Sequence, residues 1–153
     1  MASWGDVVAD APDLAEAVRR TFEIRKHATL ATIRRDGSPR ISGSEVEFDD
    51  EAGEIYLGSM PAARKALDLL RDPRMALHCP TEDAPPGDAS AWAGDGKIAG
   101  VAVDVSDVTT PGSPHRFRVD VTEVVLTRVG TPADHLVIES WHPSRGYERR
   151  TRE

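Results

Sequence analysis

The chain has 153 residues, 39% hydrophobic and 29% charged, which suits one globular domain whose core needs no disulfide staples. Its 19 Lys and Arg against 26 Asp and Glu give a formal charge of −7, which excludes general affinity for nucleic-acid backbones but leaves room for a small anion at a local basic patch. The single cysteine, Cys79, excludes a disulfide framework and a cysteine-based zinc site and suits a reducing compartment.

No run of about 18 apolar residues is present, so no membrane partner is expected. The acidic start MASWGDVVADAPDLAEA lacks the cationic and apolar pattern of a secretory signal, which points to a cytoplasmic protein. Residues 1 to 12 read as a flexible N-terminus of a single domain spanning 1–153. Residues 12 to 26, PDLAEAVRRTFEIRK, place Leu14, Val18 and Phe22 on one stripe, with Asp13 at the front and Arg25 and Lys26 at the back; this predicts an amphipathic helix whose charges complement its dipole. Next, ATLATIRRDGSPRISGSEVEFDD contains two β-like runs around an Asp-Gly pair, a strong hairpin signal. The second run alternates, with Ile41, Gly43, Glu45 and Glu47 on one face and Arg40, Ser42, Ser44, Val46 and Phe48 on the other. Both faces are unusually polar.

A turn, DDEAGE, leads to the short strand IYLGS and then to a helix through ARKALDLLRDPR, where Ala63, Ala66, Leu67 and Leu70 are expected to form the buried stripe. After the strand MALHC, the Pro- and Gly-rich stretch from Pro80 to Gly94 reads as a long surface loop. Two long alternating strands follow, KIAGVAVDVSDVT and HRFRVDVTEVVLTRV, and the tail DHLVIESWHPSRGYERRTRE reads as one more strand, a turn and a short basic end. Many directly successive strands with one or two helices predict a mainly β fold with flanking helices, a small β-barrel rather than an α/β sheet.

The pair Arg64 and Lys65 stands at the start of the second of these expected helices. A helix N-terminus already carries unpaired N–H groups and partial positive charge, so two cations there cost repulsion unless an anion shares the site. A bound phosphate resolves the conflict; the plainer reading is a solvated helix face.

The order of these pieces, from the first helix through HATLATIRRDGSPRI, the acidic strand, GEIYLGS, ARKALDLLRDPR and MALHC, resembles the split β-barrel proteins of the pyridoxamine 5'-phosphate oxidase superfamily, which include the flavin and deazaflavin oxidoreductases. The resemblance covers roughly residues 13 to 128. It implies a homodimer that binds FMN, or in some branches the deazaflavin F420, between its subunits and acts as an oxidoreductase on a small-molecule substrate. By the same resemblance Lys65 holds the cofactor phosphate, with Arg64, Ser59 and the helix start in support. The strand Arg40, Ile41, Ser42 and Gly43 runs beside the cofactor, Arg40 toward its anionic end and the backbone of the other three toward the ring, while Leu57 and Gly58 border the same groove. Trp141 resembles a tryptophan that reaches the flavin of the other subunit. The tail WHPSRGYERRTRE does not reproduce the Arg-Leu-His-type element that binds substrate phosphate in the oxidases proper, which speaks against vitamin B6 oxidation and leaves a non-catalytic flavin- or haem-binding protein as an alternative.

Each of these residues has a plainer role open to it. Arg40 can pair across strands with Glu45 or Glu47, Gly43 can mark a bulge, Ser42 and Ser44 can be polar strand residues, and Trp141 can be an interface or core aromatic. His135, Glu139 and His142 would share a face only on a helix, and their β-branched surroundings favour a strand, so no metal is expected there. The dipeptide Cys79-Pro80 is a weak haem-thiolate signal, and a buried strand cysteine is the better reading. No nucleophile triad, acid pair or phosphate-binding Walker loop is visible, and no residue is assigned a catalytic role. The loop from Pro80 to Gly94, with Trp92, is a candidate lid.

Overall fold

A computed structural model describes all 153 residues. Residues 1 to 12 are not a loose end. Ser3 and Asp6 form a reciprocal capping box that starts helix α1, Trp4–Asp10, and this helix buries Trp4 and Val7 in the core. The capping box satisfies two of the N–H groups that a helix start leaves free. Ala11 ends α1 and directly precedes helix α2, Pro12–Glu23, because Pro12 cannot continue the first helix but suits the first turn of the second. The stripe Leu14, Val18 and Phe22 is buried as its spacing predicts.

Strands β1, His27–Ile33, and β2, Pro39–Asp49, form the expected hairpin, with Gly37 at φ +87° in its turn, a conformation that favours glycine. Strand β3, Glu54–Ser59, precedes helix α3, Arg64–Arg71, and strands β4, Arg74–His78, β5, Asp95–Asp104, and β6, His115–Val129, follow. The tail holds two strands rather than one: β7, Leu136–His142, and β8, Gly146–Arg152, pair as a hairpin. All pairings are antiparallel. The order β3-β2-β1-β4-β5-β6 closes through a β3–β6 pairing into a six-stranded barrel, and β7 and β8 extend the sheet beyond β6. The fold is the split β-barrel that the sequence predicts. No helix is long and apolar enough to cross a membrane.

Inward-facing Leu30, Ile55, Leu57, Leu77, Ile98, Phe117 and Val119 fill the barrel, and α1 and α2 pack over it. At Gly96 β5 passes so close to α2 that a Cβ would lie 2.1 Å from Thr21 Oγ1, an approach only glycine permits. Helix α3 is turned relative to the expected stripe. Ala66, Asp68 and Leu69 face inward, whereas Leu67 and Leu70 are about half exposed. The cause is electrostatic: Asp68 has two hydrogen-bonding partners beneath the helix, Thr32 and Arg40, and a third, Arg71, on the helix itself, which outweigh the modest burial that two leucines at its margin would gain.

Candidate functional site

Strand β2 pairs with β1 along residues 39 to 45 but joins β3 only from Val46 to Asp49. One edge of β2 is therefore open over residues 39 to 45, and α3 lies across the gap. Two polar groups occupy this junction. In the first, Asp68 accepts from Arg40 Nε at 2.7 Å, Thr32 Oγ1 at 2.8 Å and Arg71 at 3.3 Å, and Arg71 also donates to the Ile33 carbonyl at 2.5 Å. Burial pushes the Asp68 carboxyl up, but the hydrogen bonds from Arg40, Thr32 and Arg71 and the charge of Arg40 more than offset it, and the group titrates below the usual carboxylate range. Arg40 thus pairs with neither Glu45 nor Glu47. Its guanidinium is engaged beneath α3.

The second group surrounds a cleft of about 420 Å³ between β2, β3 and the start of α3. Lys65 lies in its wall and donates to the Gly43 carbonyl at 2.9 Å on the open edge of β2. Burial lowers the pKa of its ammonium, with Glu45 acting in the opposite direction. Glu45 itself is shared by Lys26 at 3.2 Å and His27 at 3.7 Å, and Glu47 is bound by Arg116 at 3.2 Å, so Lys65 keeps hydrogens without an anionic partner. The Ser59 hydroxyl is buried in the same wall without any hydrogen-bonding partner. Such a group is costly to leave unmatched. No side chain caps α3, and Gly43 and Gly58 have almost no atoms where a Cβ would project. The cleft thus combines one ammonium, one unpaired and buried hydroxyl and two positions without side chains with the ion-paired carboxylates of Glu45 and Glu47.

The segment entering α3 is tense. Ala62 has φ 60°, a left-handed conformation that costs a non-glycine residue about 1 kcal/mol or more. Its N–H donates to His115 Nε2 at 3.3 Å, tying the segment to β6.

The structure brings Gly43, Gly58, Ser59 and Lys65 together in this cleft. Arg64 is exposed at the helix start. Leu57 and Ser42 face inward, Leu57 only 2% exposed, and Ile41 projects from the other side of β2 onto a groove shared with Ala31, Ala76 and Ala99. Trp141 is elsewhere: it is 3% exposed in the core, and its indole N–H donates to Asp10 at 2.6 Å. His135, Glu139 and His142 have separate partners in Asp134, Arg128 with Tyr147, and Glu123. The loop from Pro80 to Gly94 folds on itself through Trp92 Nε1 to the Glu82 carbonyl and docks on Gly130 through Ser90; none of its residues lines the Lys65 cleft. His27, Met60 and Arg116 line the cleft without having been singled out in sequence. Arg116 gave no local signal because it arrives opposite Gly58 only when β6 closes the barrel against β3.

The closed six-stranded antiparallel barrel is a fold that this chain shares with solved structures of low sequence identity. Comparison with solved structures places three proteins beside it. A pyridoxamine 5'-phosphate oxidase-related, FMN-binding protein from Nostoc punctiforme superposes with a TM-score of 0.64 at 10% identity, covering 94% of this chain and 96% of its own. A haem-binding protein from Mycobacterium smegmatis gives 0.56 at 15% identity, covering 92% and 88%. An F420 reductase gives 0.52 at 17% identity over 68% and 92%. Neither a protein-family model nor a curated protein matches the sequence.

Proposed function

We propose that the protein is an FMN-dependent oxidoreductase acting on a small organic substrate, working as a homodimer. The observation that carries this reading is the unmatched polar wall of the cleft, the free Ser59 hydroxyl beside Lys65. A phosphate there takes hydrogen bonds from both and from the uncapped start of α3, and Arg64 adds charge from the rim. The open edge of β2 from Arg40 to Gly43 then offers backbone donors and acceptors to the ring system, with Gly43 and Gly58 leaving room for the connecting chain. When bound, the flavin ring supplies hydride or electron transfer, and the protein positions it and excludes competing reactions. The groove of Ile41, Ala31, Ala76 and Ala99, where Ile41 is 74% exposed, supports a second copy covering this face of the barrel.

F420 is the second reading, favoured by the likeness to an F420 reductase, since it also anchors through phosphate. Haem fits less well, because Met60 is the one apolar side chain lining the cleft and a haem site is largely apolar. Titration of the cofactor-stripped protein with FMN, F420 and haemin, followed by absorbance, tests the assignment. Saturable FMN binding supports it, and preference for F420 keeps the anchor while changing the coenzyme. Haemin binding alone, or no binding, contradicts it.

A further inference from the structure

A second cluster of chemistry-bearing side chains stands away from the Lys65 cleft, where the end of β4 meets the start of β5. His78, Cys79 and Asp95 present one ligand-type atom each, and these three atoms lie within 4.8 Å of one another. Their arrangement follows from the strand pairing. Cys79 N–H donates to the Gly96 carbonyl, which sets the cysteine opposite the first residues of β5 and brings Asp95 beside His78.

Three details go beyond mere proximity. His78 Nδ1 lies 2.7 Å from the Cys79 carbonyl. A carbonyl only accepts, so this nitrogen carries a hydrogen, and in the neutral ring Nε2 is the nitrogen that offers a lone pair. Metal-bound histidines commonly show this pattern, in which a backbone carbonyl fixes the tautomer and turns the other nitrogen toward the ion. That Nε2 faces Asp95 Oδ1 at 3.7 Å, too long for a hydrogen bond but near the separation of two donors around one small cation. The Cys79 sulfur receives the Gly96 N–H at 3.2 Å, and its own hydrogen has only the Gly94 carbonyl at 4.0 Å; burial pushes the thiol pKa up, with the Gly96 contact acting against it, so the free site holds a thiol that an ion must deprotonate. Two acceptors and a sulfur therefore converge, and the one fixed donor to any of them is the Gly96 N–H on the sulfur. Something positive belongs there.

We propose that His78, Cys79 and Asp95 form a three-donor site for one zinc-class divalent ion, with the fourth position open to solvent. The mixture of imidazole, thiolate and carboxylate selects against magnesium and calcium, which prefer all-oxygen shells. Sulfur is supplied from the buried side, as Cys79 is 2% exposed. His78 and Asp95, whose side chains are 38% and 36% exposed, leave an approach for the ion and room for a water or small ligand as fourth donor. Binding exchanges the thiol proton of Cys79 for the ion and releases that proton to water, with no change of oxidation state. A single cysteine cannot build a cysteine-only zinc site, and this site does not need one: the other donors come from its neighbour and from the next strand. It shares no residue with the Lys65 cleft, so it does not depend on the flavin, but His78 also lines the groove assigned above to a second copy, and the ion's approach is then from the Asp95 side.

The test is titration of the chelator-treated full-length protein with Co²⁺ alone as the probe, followed by absorbance. Saturation at one ion per chain with a sulfur-to-cobalt charge-transfer band, displaced by Zn²⁺, is the expected result. Cys79→Ser should remove that band. Asp95→Asn, a near-isosteric change at a partly exposed position, should keep it but weaken affinity at least about tenfold, the lower end of what even supporting-shell changes cost. Far-UV circular dichroism checks folding of both variants; should Cys79→Ser fail to fold, Asp95→Asn decides alone. No saturable binding up to about 1 mM, a band that survives Cys79→Ser, or unchanged affinity in Asp95→Asn would overturn the proposal.

Discussion

Helix α3 carries two polar groups one turn apart, and they differ in completeness. On the underside, Asp68 is saturated by Thr32, Arg40 and Arg71. At the start, Lys65 holds one backbone carbonyl and Ser59 holds nothing. A buried carboxylate with three donors explains itself, since its charge is matched within the fold and it fixes the helix on β1 and β2. A half-buried ammonium beside an orphaned hydroxyl is not matched within the fold. The difference separates a clamp that is complete within the fold from a polar group that is not, although each is anchored by one side chain of the same short helix.

Substitutions should separate the two groups. The largest effect is expected from Asp68→Ala, which leaves Arg40 and Arg71 facing each other without a counterion and should cost about 3 kcal/mol of stability, as breaking buried ion pairs does; urea unfolding measures it. Lys65→Ala should barely move the unfolding midpoint of the cofactor-free protein yet weaken FMN at least about tenfold, the worth of one charge-assisted hydrogen bond. Ser59→Ala is expected to sharpen the contrast further, leaving the cofactor-free protein as stable or slightly more so, because an unmatched hydroxyl is removed, while FMN binding falls about fivefold. A gain in stability and a loss in affinity from one substitution is a pairing that a purely structural serine would not produce.

The smallest effects concern pH. Asp68 has a folded-state pKa below its unfolded one, so its contribution is fully present above the unfolded value near 4 and is lost as pH falls through the folded value. Acid unfolding curves of the native protein should therefore lose stability below about pH 4, and those of Asp68→Asn should be flatter in that window. Lys65 works in the opposite range: only its protonated form attracts a phosphate, and burial lowers its pKa. FMN affinity should accordingly decline on the alkaline side at a lower pH than an ordinary lysine would give. Lys65→Arg, which stays charged, should remove that decline.

The parts of the molecule that are local in sequence were legible from it. The Asp-Gly turn announced the β1–β2 hairpin, the four-residue steps of Leu14, Val18 and Phe22 announced α2, and of the two cations at the helix start Lys65 lies in the cleft while Arg64 stays outside it. Arg40 was legible only as a cation near the site, since its partner Asp68 lies on another element. That same aspartate misdirected the reading of α3: a charged residue reads as surface, so the leucines on either side of it took its place in the expected core. The first helix was missed although Ser3 and Asp6 form a recognisable capping box, because a short acidic segment with a glycine reads as loose. Strand β8 was hidden by its arginines, the charges by which a sheet edge resists pairing with other chains. Trp141 followed a family pattern in sequence but lies in the core, where Asp10 of the unexpected first helix takes its indole N–H.

The most direct test of the anion cradle compares FMN with riboflavin, which has the same ring and no phosphate, by quenching of flavin fluorescence in the native protein and in Lys65→Ala. The expected result is that the native protein binds FMN at least about tenfold more tightly than riboflavin, the value of one charge-assisted hydrogen bond, and that Lys65→Ala brings the two ligands close together. Equal binding of both ligands by the native protein, or a preference for FMN that persists in Lys65→Ala, would contradict the assignment of Lys65 and Ser59 as the phosphate-binding wall.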